Sequence, residues 1–278
     1  MRLDFASLRS IPAAVAVACV VGAGFTTSAS GQAAAEARGG FHVAGYGVAR
    51  NAEAATFRDY VRGERLLEEW AESLNAWIRL PRNVGLSFGE CGEANATYDP
   101  GQSLITICYE LLSELSITFE ENSEEPMTDD ERTEAVLGAT NFIFYHELGH
   151  ALVDVLELPT LGRNEDAADG LAAYILIDAD DEGDEGGEIS AVHGVAGLIG
   201  LRGDQELTAL DFADEHSLTE QRFYNVMCLM YGSDPEGYAE LVSEGTLPES
   251  RAVRCEEEYR TLNRDWERLL RRWLKESS

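Results

Sequence analysis

The chain is almost without lysine: Lys275 is the only one in 278 residues, and arginine carries nearly all the positive charge. The shortage extends to cations generally, with 21 Lys+Arg against 51 Asp+Glu and a formal net charge of −30 at pH 7. A surface this acidic repels phosphate backbones and anionic headgroups, so nucleic acid is not an expected partner. Solubility is its plainest consequence, and a taste for basic substrates a weaker one. Five cysteines form no C-x-x-C pair, which argues against a zinc site built from thiolates alone. Beyond Phe25 no apolar run approaches the roughly 20 residues of a membrane helix. Only five histidines are present, so two of them placed one helical turn apart carry information.

The amino terminus reads as an address. Arg2 and Arg9 flank a short basic region, Ile11 to Phe25 is apolar, and "TTSASGQAAA" offers cleavage after Ser30 or Ala35. Residues 1–30 are therefore expected to be a signal peptide, and 31–278 a single domain in the periplasm or outside the cell. A lipoprotein signal at Cys19 is the alternative, but the apolar run continues past that cysteine. The other four cysteines, Cys91, Cys108, Cys228 and Cys255, suit two disulfides in an exported chain. Three pairings are open, and proximity favours Cys91–Cys108 with Cys228–Cys255.

Periodicity predicts a mainly helical α+β domain with a small β element. "TFRDYVRGERLLEEWAESLNAWI" spaces its apolar residues as one amphipathic helix. "PRNVGLSFGEC" and "SLITICYE" read as two strands of a hairpin, with the Asp-Pro-Gly of "NATYDPGQ" as its turn. Thr128 and Glu131 stand in capping-box spacing ahead of a long apolar helix, about Asp130 to Leu156. A second helix begins near Asn164, and the last third is helical.

The long helix contains "FYHELGHALV". Residues four apart project from one helix face, so His146 and His150 can aim imidazole nitrogens at one ion. Glu147, about 100° round the helix, can reach a water beside that ion without ligating it. Apolar neighbours argue against two solvent-exposed histidines in a coincidental helix. A catalytic zinc site needs a third protein ligand and an open position. A third histidine six residues on, past a glycine, is excluded, because Leu156 and Val153 occupy those positions. Asp154 lies too far along the same helix to close a tetrahedron, and a capping or supporting role is expected for it. "NEDAAD" offers a better solution: Glu165, fifteen residues after His150, as third ligand, with Asp169 accepting the free N–H of a ligand histidine. Acidic residues in a first helical turn also suit the helix dipole with no metal at all. It is the position behind His146 and His150 that favours the ligand reading.

His146-Glu147-x-x-His150 followed by Glu165-x-x-Ala168-Asp169 resembles the gluzincin metallopeptidases. Across "LPRNVGLSFGECGEANATYDP", "ICYEL" and "DEHSLTEQRFYNVMCLMYGSDP" the chain also resembles an exported bacterial "putative metallopeptidase" family, catalogued as a domain of unknown function. The resemblance implies a zincin-like fold holding one Zn2+ on His146, His150 and Glu165, with Asp169 behind and Glu147 as general base toward a peptide or protein substrate. His216, Arg222 and Tyr224 are the candidate donors to the oxyanion, against a plainer reading as a cap and salt bridges. His193 is expected to be a satisfied core histidine. The acidic stretch Asp178–Glu188 nearly fits a Ca2+ loop, but its twelfth position is Ile189, so calcium is not the expectation. Two other classes compete: a non-catalytic zinc-binding or regulatory protein of metallopeptidase fold, and an extracytoplasmic structural domain without metal. An intact Glu147 favours the enzyme. Substrate and oligomeric state are not legible.

Overall fold

Four short strands form one mixed sheet in the computed structural model, which describes residues 39–123, 125–178, 186–203 and 206–275. The expected signal peptide with Cys19, and residues 179–185 of the acidic stretch considered for calcium, lie outside the described residues. In chain order the strands are β1 (Phe41–Tyr46), β2 (Val84–Gly89), β3 (Ala96–Asp99) and β4 (Leu104–Cys108). They lie in the order β1-β2-β4-β3; β1, β2 and β4 are parallel, and β3 runs antiparallel to β4 at the edge. Val84–Leu86 and Phe88 of β2 are all buried, as an interior parallel strand requires.

Two sequence expectations change here. The hairpin joined by Asp99-Pro100-Gly101 is β3–β4, whereas β2 and β4 are parallel neighbours. The segment taken for a turn contains a strand of its own. The single helix expected over 56–78 is two, α1 (Ala52–Gly63) and α2 (Leu66–Trp77), broken where Arg65 takes a left-handed conformation at φ 57. The expected disulfides are both present: Cys91–Cys108 ties the end of β4 to the chain leaving β2, and Cys228–Cys255 ties two later helices.

After α3 (Tyr109–Asn122) comes α4 (Asp129–Val155), opened by the Thr128–Glu131 capping box. Its buried residues point in every direction, so it runs through the core rather than over it. Trp70 of α2 stacks on Phe144 at 3.9 Å between ring centroids, and its indole N–H donates to Asn141 Oδ1 at 3.1 Å. Phe88 of β2 packs on the same indole, so α4 is located against both sheet and helix. Then follow α5 (Asn164–Asp178), α6 (Gly186–Arg202), the short α7 (Ala209–Ala213), α8 (Thr219–Ser233), the short α9 (Ala239–Ser243) and α10 (Glu249–Ala252), and α11 (Cys255–Leu270). The result is an α+β fold, mainly helical, with its sheet on one side of the central helix.

Candidate metal centre

His146 and His150 project one turn apart from α4, and α5 crosses that face in antiparallel order: His150 meets Glu165, Gly149 meets Ala168, and His146 meets Asp169. Gly149 makes this approach possible. A Cβ there would stand 2.7 Å from Ala168 Cα, a backbone atom that cannot step aside. A glycine weakens a helix by about 1 kcal/mol relative to alanine, and here its missing side chain is what lets α5 pack against α4.

The three donor atoms form an almost equilateral triangle. His146 Nε2 and His150 Nε2 are 3.2 Å apart, and Glu165 Oε2 lies 3.1 and 3.2 Å from them. Ligands about 2.0 Å from one zinc-sized ion in tetrahedral geometry are separated by about 3.3 Å. The residues therefore fit a metal ion. His146 Nδ1 donates to Asp169 Oδ1 at 2.8 Å, which orients the ring and turns Nε2 toward the triangle.

The electrostatics point the same way. Burial alone would depress His146, but its hydrogen bonds to Asp169 and Glu165 raise it to about 9. Burial also works against ionised Glu165, yet hydrogen bonds from His146, His150 and His216 hold it well below the usual carboxylate range. Asp169 is likewise held down, to about 2, by His146 and Arg222 against its burial. This pocket is arranged around positive charge.

Glu147 is buried beside the triangle, 8% exposed, and lines the cleft together with Tyr98 of β3. Burial, chiefly, raises its pKa, against the opposing pull of His146 and His150. A carboxylate moved toward neutrality is better matched to accepting a proton at physiological pH. A cleft of about 660 Å³ opens onto these groups. Edge strand β3 and Asp154 border it, Glu215 and His216 stand at its rim, and Ile143 and Leu198 give it an apolar side.

The structure brings His216 to the centre and leaves Tyr224 out of it. His216 Nε2 is 2.9 Å from Glu165 Oε2, and its Nδ1 is 3.0 Å from Asp214 Oδ1. Its hydrogen bond with Glu165 is the main influence raising its pKa. Tyr224 packs edge-on to Phe223 and is not among the residues lining the cleft, because its position on α8 turns it into helix packing. Arg222 is at the site but is not a free donor, since both Nε and Nη2 are on the Asp169 carboxylate. Asp154 supports the edge strand by accepting from the Tyr98 hydroxyl. His193 lies in the packing of α6 against α3 and α4, but its buried Nδ1 has no hydrogen-bond partner among the described residues. Sequence reasoning missed Tyr98 and Asp214. The aspartate two residues before His216 was a visible signal, whereas Tyr98 is brought in only by strand pairing.

A second cluster, Cys91, Cys108 and Glu110, also places ligand-type atoms close together, but its sulfurs are joined to each other. Among the described residues no helix is long and apolar enough to cross a membrane. The two disulfides fit an oxidising, extracytoplasmic setting. The sequence model of a family described as "Putative metallopeptidase" matches residues 46–270, which contain every residue of the centre. No curated protein and no solved structure matches the chain.

Proposed function

The chain belongs to that putative metallopeptidase family, and from this premise we propose a secreted zinc-dependent peptidase of gluzincin type. The observation that carries the proposal is the donor triangle of His146, His150 and Glu165 with buried Glu147 beside it on the same helix. When bound, zinc supplies Lewis acidity, polarising a carbonyl and activating water at neutral pH. Glu147 accepts the proton of the attacking water and returns it to the leaving amine. Its raised pKa serves both halves of that exchange. Asp214 orients His216 through Nδ1, and the His216 Nε2, which bonds Glu165 Oε2, would be freed to donate to a developing oxyanion when Glu165 serves as a metal ligand. Asp169 holds His146 as a ligand, and Arg222 holds Asp169.

An extended peptide lies along β3, the sheet edge that borders the cleft. Export by the signal peptide, residues 1–30, completes the reading, and the disulfides support it.

Metal analysis of the purified mature chain, with peptide-library cleavage by wild type and Glu147→Gln, tests this. Near-stoichiometric zinc in both proteins is expected, with activity of the variant lower by about 10²–10⁴-fold. Full activity in Glu147→Gln would refute the general-base role. A zinc-loaded wild type that cleaves nothing would favour a binding or regulatory protein. No bound zinc would sink both.

A further inference from the structure

Tyr98 of the edge strand is tied to the long helix through its side chain. Its hydroxyl donates to Asp154 Oδ2 at 2.6 Å, and Tyr98 lines the same cleft as Glu147. Glu147 and Asp154 are seven residues apart on the same face of α4, about 10 Å along the axis. Asp154 is held from its other side by Arg82, from the loop that enters β2. This clamp joins three chain segments at the cleft: the loop before β2, the edge strand, and the helix turn that follows His150.

We propose that Tyr98 and Asp154 are positioning residues that lock the free edge of β3 onto α4 in register with Glu147. Global stability is a poor explanation for the arrangement. The side chains of Arg82 and Asp154 are 47% and 36% exposed, and ion pairs so exposed contribute little to folding. Nor is β3 short of internal support, since it is paired to β4 along its whole length and followed by a tight turn at Asp99. What the clamp fixes is the relation of the strand to the helix. Without it, β3 can shift relative to Glu147 while its pairing to β4 survives. Asp154 had a visible place one turn past His150, yet it serves the strand instead of the ion.

The catalytic consequence rests on the peptidase reading, whereas the anchoring does not, and the experiment separates them. Amide hydrogen exchange across β3 is measured in the zinc-loaded wild type, Tyr98→Phe and Asp154→Ala, together with zinc affinity and peptide kinetics. Losing a hydrogen bond to a charged group should accelerate exchange at β3 about tenfold or more, with zinc affinity held within about twofold. The same two variants should raise KM about tenfold and leave kcat nearly unchanged, because the strand aligns substrate and takes no proton. Unchanged exchange in both variants overturns the proposal. A loss of zinc affinity parallel to the faster exchange also overturns it, since that would mean α4 itself had loosened. If no protein cleaves any peptide, the peptidase reading fails and the exchange data still decide the clamp.

Discussion

Arg222 grips Asp169 through two parallel hydrogen bonds, Nε to Oδ2 and Nη2 to Oδ1, each 2.7 Å long. Asp169 Oδ1 also receives His146 Nδ1, so the guanidinium on α8 orients a donor atom on α4 through a carboxylate on α5. Three helices thus converge on one imidazole. Asp169→Asn, which cannot accept at both oxygens, should weaken zinc binding about 10–100-fold, as read by chelator competition. Arg222→Met should do the same and also cost about 3–5 kcal/mol of stability, because it strands a buried carboxylate. Unchanged affinity in both variants would show that His146 needs no such support.

Gly149→Ala makes a sharper test, because local and tertiary effects oppose each other. In an isolated helix alanine is better than glycine by about 1 kcal/mol. Here its Cβ would meet the Ala168 backbone at 2.7 Å, forcing α5 away from α4. Glu165 and Asp169 travel with α5. The variant should therefore lose stability by about 1–3 kcal/mol in urea unfolding and lose zinc affinity with it. A stabilised Gly149→Ala protein would mean the helices can separate at no cost.

Chelation should expose the thermodynamic weight of the centre. Zinc at about 1,000 times its Kd stabilises the folded chain by about 4 kcal/mol, equivalent to roughly 10 °C in Tm for a domain of this size. Glu165→Gln removes the charged donor from the triangle, so its Tm should hardly respond to zinc or to chelator. A variant as zinc-responsive as wild type would move the third ligand elsewhere.

The centre was legible because its parts follow helical arithmetic. His146 and His150 share a face by spacing alone, and Glu165 and Asp169 repeat that spacing on the next helix, after a turn too short to carry them elsewhere. The sheet was harder. β1 lies in an Ala/Gly-rich stretch and is a strand through pairing with β2, not through its own pattern. β3 was hidden between the asparagine and glycine of a turn signal. Tyr98 could not be assigned for the same reason, as its partner Asp154 lies 56 residues away on another element. Tyr224 misled because a large donor near His216 says nothing about which way α8 turns it.

His193 gives the pH dependence of the core. Its Nδ1 is buried without a partner among the described residues where α6 packs on Gly138, and burial pushes its pKa down to about 4. In the unfolded chain the same imidazole titrates near 6.5. Between those values the unfolded state binds a proton that the folded state refuses, so stability falls as pH falls. The contribution is fully present above about pH 6.5 and is lost progressively down to about pH 4, some 3 kcal/mol in all. Acidic partners elsewhere also titrate, so the informative quantity is a difference. His193→Leu fills similar space without a titrating group. Urea unfolding at pH 7 and pH 4.5 should show the variant gaining on wild type by about 2–3 kcal/mol at the lower pH. Parallel losses in the two proteins would mean that His193 is protonated within the fold and has found a partner there.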